Sequence, residues 1–108
     1  MLLWKPASVE DCTEVCLVSW QIIETVDEYQ TRHFVGRYTY SADCVSEGRV
    51  SSPIKTFDKQ TRTGITHSGM VYRLVGDPGY DIDATYVLNS WMYYNRIAEI
   101  REITGELI

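Results

Sequence analysis

The sequence predicts an α+β fold: a four- to five-stranded, mainly antiparallel sheet with one C-terminal amphipathic helix packed on a face. Three observations predict it. Residues 15–26, 33–41, 50–57 and 70–75 are rich in β-branched and aromatic residues, mostly alternating with polar ones. Turn-forming clusters separate these runs. Residues 82–95 then switch to a helical period, with Ala84, Val87, Leu88, Trp91 and Tyr94 on one stripe. At 108 residues, 44% hydrophobic and 23% charged, the chain has ordinary globular composition and reads as a single domain, 1–108.

Ser8-x-x-Asp11 resembles a short helix start that gives way to strand. From Val15 to Val26, Cys16, Val18, Trp20 and Ile22 share one face, and Val15, Leu17 and Ile23 the other. Both faces are partly apolar, so this strand is placed centrally. Asp27–Arg32 is a polar break. His33–Ser41 alternates next, with Phe34, Gly36, Tyr38 and Tyr40 opposite His33, Val35, Arg37 and Thr39, and the two strands form an antiparallel hairpin. Cys44–Gly48 reads as loop. Val50–Phe57 reads as one strand, tolerating Pro53 only at an edge or a bulge.

Thr61–Thr66 is a short strand ending in the Thr66-His67-Ser68-Gly69 turn. Met70–Val75 alternates. Gly76-Asp77-Pro78-Gly79 closes it, with Pro78 and Gly79 suited to the centre of a type II turn. Asp81 is placed to cap the helix, Asp83 lies in its first turn, and Asn95 is suited to close it in the left-handed conformation. Residues 97–104 fit helix and strand equally, and Gly105 stops either.

The run Ser68-Gly69, Tyr72, Leu74, Gly76, Gly79, Tyr86-Val87 and Trp91, with Val50-Ser51-Ser52-Pro53-Ile54, resembles a pattern in small uncharacterised bacterial and prophage proteins. The resemblance covers about the C-terminal half. The group carries no assigned activity, so the resemblance implies no site.

The net charge is −5 and unevenly spread. Residues 1–30 set Lys5 against Glu10, Asp11, Glu14, Glu24, Asp27 and Glu28. Residues 31–64 set Arg32, Arg37, Arg49, Lys55, Lys59 and Arg62 against Asp43, Glu47 and Asp58. Such stretches can face each other within one domain, and the whole lacks the basic balance of a nucleic-acid binder. No apolar run approaches the ~20 residues of a membrane span, and Met1–Pro6 lacks the basic start of a signal peptide. A cytoplasmic protein with no membrane partner is expected.

Cys12, Cys16 and Cys44 are an odd count without the spacing of a disulfide framework or zinc ribbon, and His33 and His67 are the only histidines. Asp77, Asp81 and Asp83 do not have calcium-loop spacing. No metal and no cofactor are expected. Adjacent His67 and Ser68 would point apart on a strand, and no Gly-x-Ser-x-Gly elbow is present. No catalytic residue is assigned, and the sequence leans away from an enzyme.

The leading expectation is a protein-interaction module, acting on a protein partner or on itself. The 8 tyrosines and 3 tryptophans exceed what so small a core needs, and Tyr, Trp and Arg anchor interfaces. Tyr38, Tyr40, Arg37, Arg49 and Tyr93 are the candidate surface. One alternative is a small ligand-binding protein or enzyme with a pocket near Tyr72 and Tyr86. The other, ranked lowest, is a weak single-stranded nucleic-acid binder stacking bases on Phe34, Tyr38 and Tyr40.

Overall fold

The computed structural model describes residues 14–39 and 47–108. Seven strands in one mixed sheet and two helices follow in the order β1 (Glu14–Thr25), β2 (Arg32–Thr39), β3 (Glu47–Val50), β4 (Ile54–Asp58), β5 (Thr63–Thr66), β6 (Val71–Leu74), α1 (Ile82–Tyr94), β7 (Ile100–Glu102) and α2 (Thr104–Leu107), counted among the described residues. The class is α+β, as predicted. The strand count is higher, the sheet is mixed because β1 and β6 run parallel while the other pairs are antiparallel as expected, and a second short helix follows the first.

The sheet runs β3-β2-β1-β6-β5-β4, with β7 beside the C-terminal half of β1. β1 is central, and β1 with β2 forms the expected antiparallel hairpin. On its other edge β1 pairs β6 in parallel through Glu14–Leu17 and β7 antiparallel through Ile23–Thr25. The gap between those partners is filled: the Gly79 amide donates to the Trp20 carbonyl at 3.0 Å, and the Ile22 amide to Thr104 Oγ1 at 2.9 Å. Residues 97–104 thus resolve into strand, then helix turn.

Val50–Phe57 is two strands, not one. β3 and β4 stand at opposite ends of the sheet order, joined only by Ser51-Ser52-Pro53. Six flat strands would hold those ends about 24 Å apart. The link spans at most about 14 Å. The sheet therefore curls until its two ends approach. Ser51 fastens the corner: its amide donates to the Phe34 carbonyl and its Oγ accepts from the Phe34 amide, both at 2.9 Å. Pro53, lacking an N–H, sits in the link, where no ladder bond is required of it.

The curl creates two cores. Inside lie Val15, Leu17, Trp20, Ile22, Phe34, Tyr38, Tyr72, Leu74 and Ile103. Outside, α1 covers Ile23 and Val35 with Ala84 and Leu88. This division corrects the predicted faces of β1. The register advances three residues on β1 (Val18 to Gln21) for two on β2 (Arg37 to Val35), a bulge centred on Ser19, whose φ is 49°. One extra residue inverts the alternation, so Trp20 and Ile22 join Val15 and Leu17 instead of opposing them. Gly36 makes room, since a Cβ there would stand 3.1 Å from Trp20 Cα and Cβ. The Trp20 indole N–H donates to the Val75 and Gly76 carbonyls at 3.2 Å.

α1 begins as predicted. Asp81 is its N-cap, accepting the Ala84 amide on Oδ2 at 2.9 Å. The helix start rests on Gly48, where a Cβ would come within 2.6 Å of the Ala84 and Asp83 backbone. Two turn expectations fail. The left-handed glycine after β6 is Gly76 (φ 74°), so Pro78-Gly79 does not form a type II turn. Asn95 has φ −99°, and Arg96 takes the left-handed conformation (φ 57°) beyond the helix. Asn95 instead closes α1 through its side chain, Nδ2 donating to the Trp91 carbonyl at 2.8 Å. No helix among the described residues is long and apolar enough to cross a membrane. The proposed helix start at Ser8, and Cys12 and Cys44, lie outside the described residues.

Candidate functional site

The helix that covers the sheet has a second apolar stripe. Successive residues turn by about 100°, so Ile82, Tyr86, Asn89 and Tyr93 line the side opposite Ala84, Leu88 and Trp91. Tyr86 is 73% exposed and Tyr93 78%. Ile82, Tyr94 and the preceding Tyr80 are also exposed, and the Tyr93 and Tyr94 rings meet edge to face at 5.4 Å. An ordinary surface helix shows polar residues here. Exposed Asp77 and Asp83 flank its start. The sequence carries this signal as an i, i+4, i+11 spacing on the solvent side, of which only Tyr93 belongs to the predicted surface.

The sequence-predicted surface is not brought together. Tyr93 is exposed. Tyr38 is 8% exposed and lies in the inner core, with the Arg49 guanidinium 5.0 Å from its ring centroid. Arg49 Nε donates to the Tyr72 hydroxyl at 2.8 Å. Arg37 clamps the start of α1, with Nε 2.8 Å from Asp81 Oδ1 and Nη2 2.8 Å from Asp83 Oδ2. These arginines hold structure. Tyr40 lies outside the described residues. Tyr72 is 2% exposed, so it and exposed Tyr86 do not share a pocket. Phe34 and Tyr38 are both buried, and a base-stacking platform needs open ring faces.

A cleft of about 480 Å³ opens elsewhere, between the β1–β2 turn, the Ser51–Pro53 link and the end of α1. His33 is its buried polar centre. Nδ1 lies 2.8 Å from the Ser51 carbonyl, which only accepts, so Nδ1 carries the proton. Burial pushes the imidazole below its ordinary pKa of 6.5, against the opposing pull of the Ser51 carbonyl and Asp27. The ring is therefore neutral at pH 7, and Nε2 accepts from the Thr31 hydroxyl at 2.8 Å. The Thr31 amide donates to Thr25 Oγ1 at 3.0 Å, and the Thr25 hydroxyl to Asp27 Oδ1 at 2.8 Å. The same oxygen takes the Gln30 and Tyr29 amides. The Gln30 amide first, then the Thr25 hydroxyl, hold the Asp27 carboxyl below its usual range.

A hydroxyl, an imidazole and an orienting carbonyl in line can activate a nucleophile. Here the same line also ties the hairpin turn to the link, and every bond in it has a structural use. The His67-Ser68 pair forms a turn, as predicted: Gly69 has φ 91° and its amide donates to the Thr66 carbonyl. The Ser68 hydroxyl is engaged with Thr66 Oγ1 and Ser52 Oγ, at 2.9 and 2.8 Å. Asp81 and Asp83 receive a guanidinium rather than standing open to a cation. Among the described residues no three His, Cys, Asp or Glu side chains gather as a metal site. Compared with protein-family models, curated proteins and solved structures, the chain matches none.

Proposed function

We infer that the protein is a cytoplasmic interaction module whose contact surface is the outer face of α1, and that its partner is a protein presenting arginine and lysine. The exposed Ile82–Tyr86–Tyr93 stripe, flanked by Tyr80 and Tyr94, supports this reading above any other observation. Large aromatic side chains in water are the residues that anchor interfaces once desolvated. Tyrosine faces attract guanidinium and ammonium groups, and the acidic flank and net charge of −5 favour the same partner. A rigid helix also presents its anchors with little ordering cost.

The test is affinity capture from host lysate with wild type and with Tyr86→Glu/Tyr93→Glu. A specific basic protein held by the wild type and lost with the variant, at unchanged melting temperature, is the expected result. Identical capture by both would refute the reading, and a wild-type dimer that dissociates in the variant would replace the basic partner with a second copy. A second reading places a small ligand in the His33 cleft rather than near Tyr72 and Tyr86. Its support is the buried imidazole facing a cavity beside Trp91. Ligand-dependent shifts of the His33 ring resonances would favour it.

A further inference from the structure

A second surface differs from the α1 face in both shape and charge. β4 ends the sheet and pairs only with β5 among the described strands, so one of its edges keeps unpaired main-chain donors and acceptors. A cleft of about 270 Å³ lies against it. Its apolar lining is Ile54, Phe57 and Leu107, all packed against the inner core yet partly open. Its cations are Arg32, Lys55 and Lys59. A register shift between Ile54 and Thr56 turns Lys55 and Thr56 both outward.

Charge singles this place out. Arg32 is neutralised by Glu24 at 3.1 Å. Lys55 and Lys59 are exposed and have no carboxylate within ion-pair distance among the described residues, in a chain of net charge −5. The nearest acid in sequence, Asp58, accepts the Gln60 amide on Oδ1 at 2.9 Å. Glu106, beside Leu107, is engaged with Arg101. Edge lysines also oppose pairing between two copies, because the same charges would meet. The edge is thus guarded against itself and open to carboxylates.

We propose that β4 receives an extended acidic segment of a partner protein as an added strand. Main-chain hydrogen bonds along the free edge hold it. One apolar side chain seats on Ile54, Phe57 and Leu107, and flanking carboxylates reach Lys55 and Lys59. Strand addition takes affinity from the backbone and specificity from alternate side chains. This surface is independent of the α1 face, and its variants leave α1 intact.

The probe is a fluorescein-labelled peptide of alternating glutamate and valine with one central phenylalanine, followed by anisotropy with the full chain. Controls are the same peptide with lysine for glutamate, and polyglutamate of equal length. Saturable binding by the acidic apolar peptide is expected, weakening with salt. Lys55→Glu/Lys59→Glu should weaken it about tenfold or more. The milder Lys55→Gln/Lys59→Gln should weaken it less, and both should melt like wild type. Amide exchange along 54–58 should slow on binding. Absence of saturable binding, equal binding by the charge-reversed variant, equal binding of polyglutamate, or tighter binding of the lysine peptide would each overturn the proposal.

Discussion

Trp91 meets His33 edge-on, with ring centroids 4.6 Å apart and planes at 63°. The contact joins the last turn of α1 to the start of β2 and covers an imidazole that already spends both nitrogens on Ser51 and Thr31. Protonating that ring would place a charge under the indole and turn Nε2 from acceptor to donor. Thr31 would then have to redirect its own proton to Thr25 Oγ1, now 3.4 Å away.

Stability should therefore fall as pH drops below the ordinary histidine value of 6.5. The sign follows from linkage. The folded-state pKa is lowered, so the unfolded chain binds the proton first, and stability is full above 6.5 and declines until the folded-state pKa is reached. His33→Gln should flatten this part of the profile. Carboxylates act lower: Glu24 is held down by the Arg32 and then the Arg101 guanidinium, so its contribution fades only as pH falls through and below its ordinary 4.5. Urea melts across pH, with imidazole titration by NMR, separate the two windows. A flat wild-type profile from pH 7 to about 5 would refute the assignment.

Removing the indole should affect both helix docking and the imidazole. Trp91 is partly rather than fully buried, so Trp91→Ala should cost about 2–3 kcal/mol, below the ~3–5 of a fully enclosed tryptophan. It should also bring the His33 pKa back toward 6.5 by admitting water. Trp91→Phe should keep the edge contact and most of the shift. Equal His33 titration in all three proteins would show that Trp91 does not shield the ring.

Asp81 serves two masters with separate oxygens: Oδ2 takes the Ala84 amide and Oδ1 the Arg37 guanidinium. Burial opposes its ionisation, but the Ala84 amide and Arg37 outweigh it and hold the carboxyl below its usual range. Asp81→Ala should cost about 1–3 kcal/mol, cap and ion pair together. Asp81→Asn keeps a capping oxygen and should cost less than half of that. Chemical denaturation of both variants measures the split. Equal losses would mean that the cap contributes little and the Arg37 pair dominates.

What was legible in the chain was mostly local. The cap at Asp81, the β1–β2 hairpin and most of the core stripe of α1 depend on near neighbours and were readable, but Tyr94, expected on that stripe, is 80% exposed. The split of Val50–Phe57 was not, because which strand β4 pairs with is decided by β5, not by Pro53 alone. The bulge at Ser19 leaves no mark, since serine is not a residue that announces a left-handed conformation. For the site, the tyrosine surplus was visible but its location was not. Tyr38 and Tyr72 look as exposed in sequence as Tyr86 and Tyr93, and only the curl of the sheet turns the first two inward.

The curl itself rests on a glycine. Gly64 on β5 pairs with Tyr72 and faces the Phe34 ring, whose Cζ a Cβ at Gly64 would overlap. Phe34 is fully buried, with Phe57 and Tyr72 centroids at 5.8 and 5.4 Å, so it has little room to retreat. Gly64→Ala should therefore push β5 away from β2 and cost about 1–3 kcal/mol, the usual effect of overpacking. Gly64→Ala/Phe34→Leu should recover part of the loss, because the smaller side chain vacates the overlapping volume. Gly105→Ala is the control: nothing lies within 4 Å of a Cβ there, φ is not positive, and the position is helical. It should be neutral or stabilising by up to about 1 kcal/mol. Thermal and urea melts of the three variants and wild type decide it. A Gly64→Ala protein as stable as Gly105→Ala would mean that the sheet closes without the close approach of β5 to Phe34.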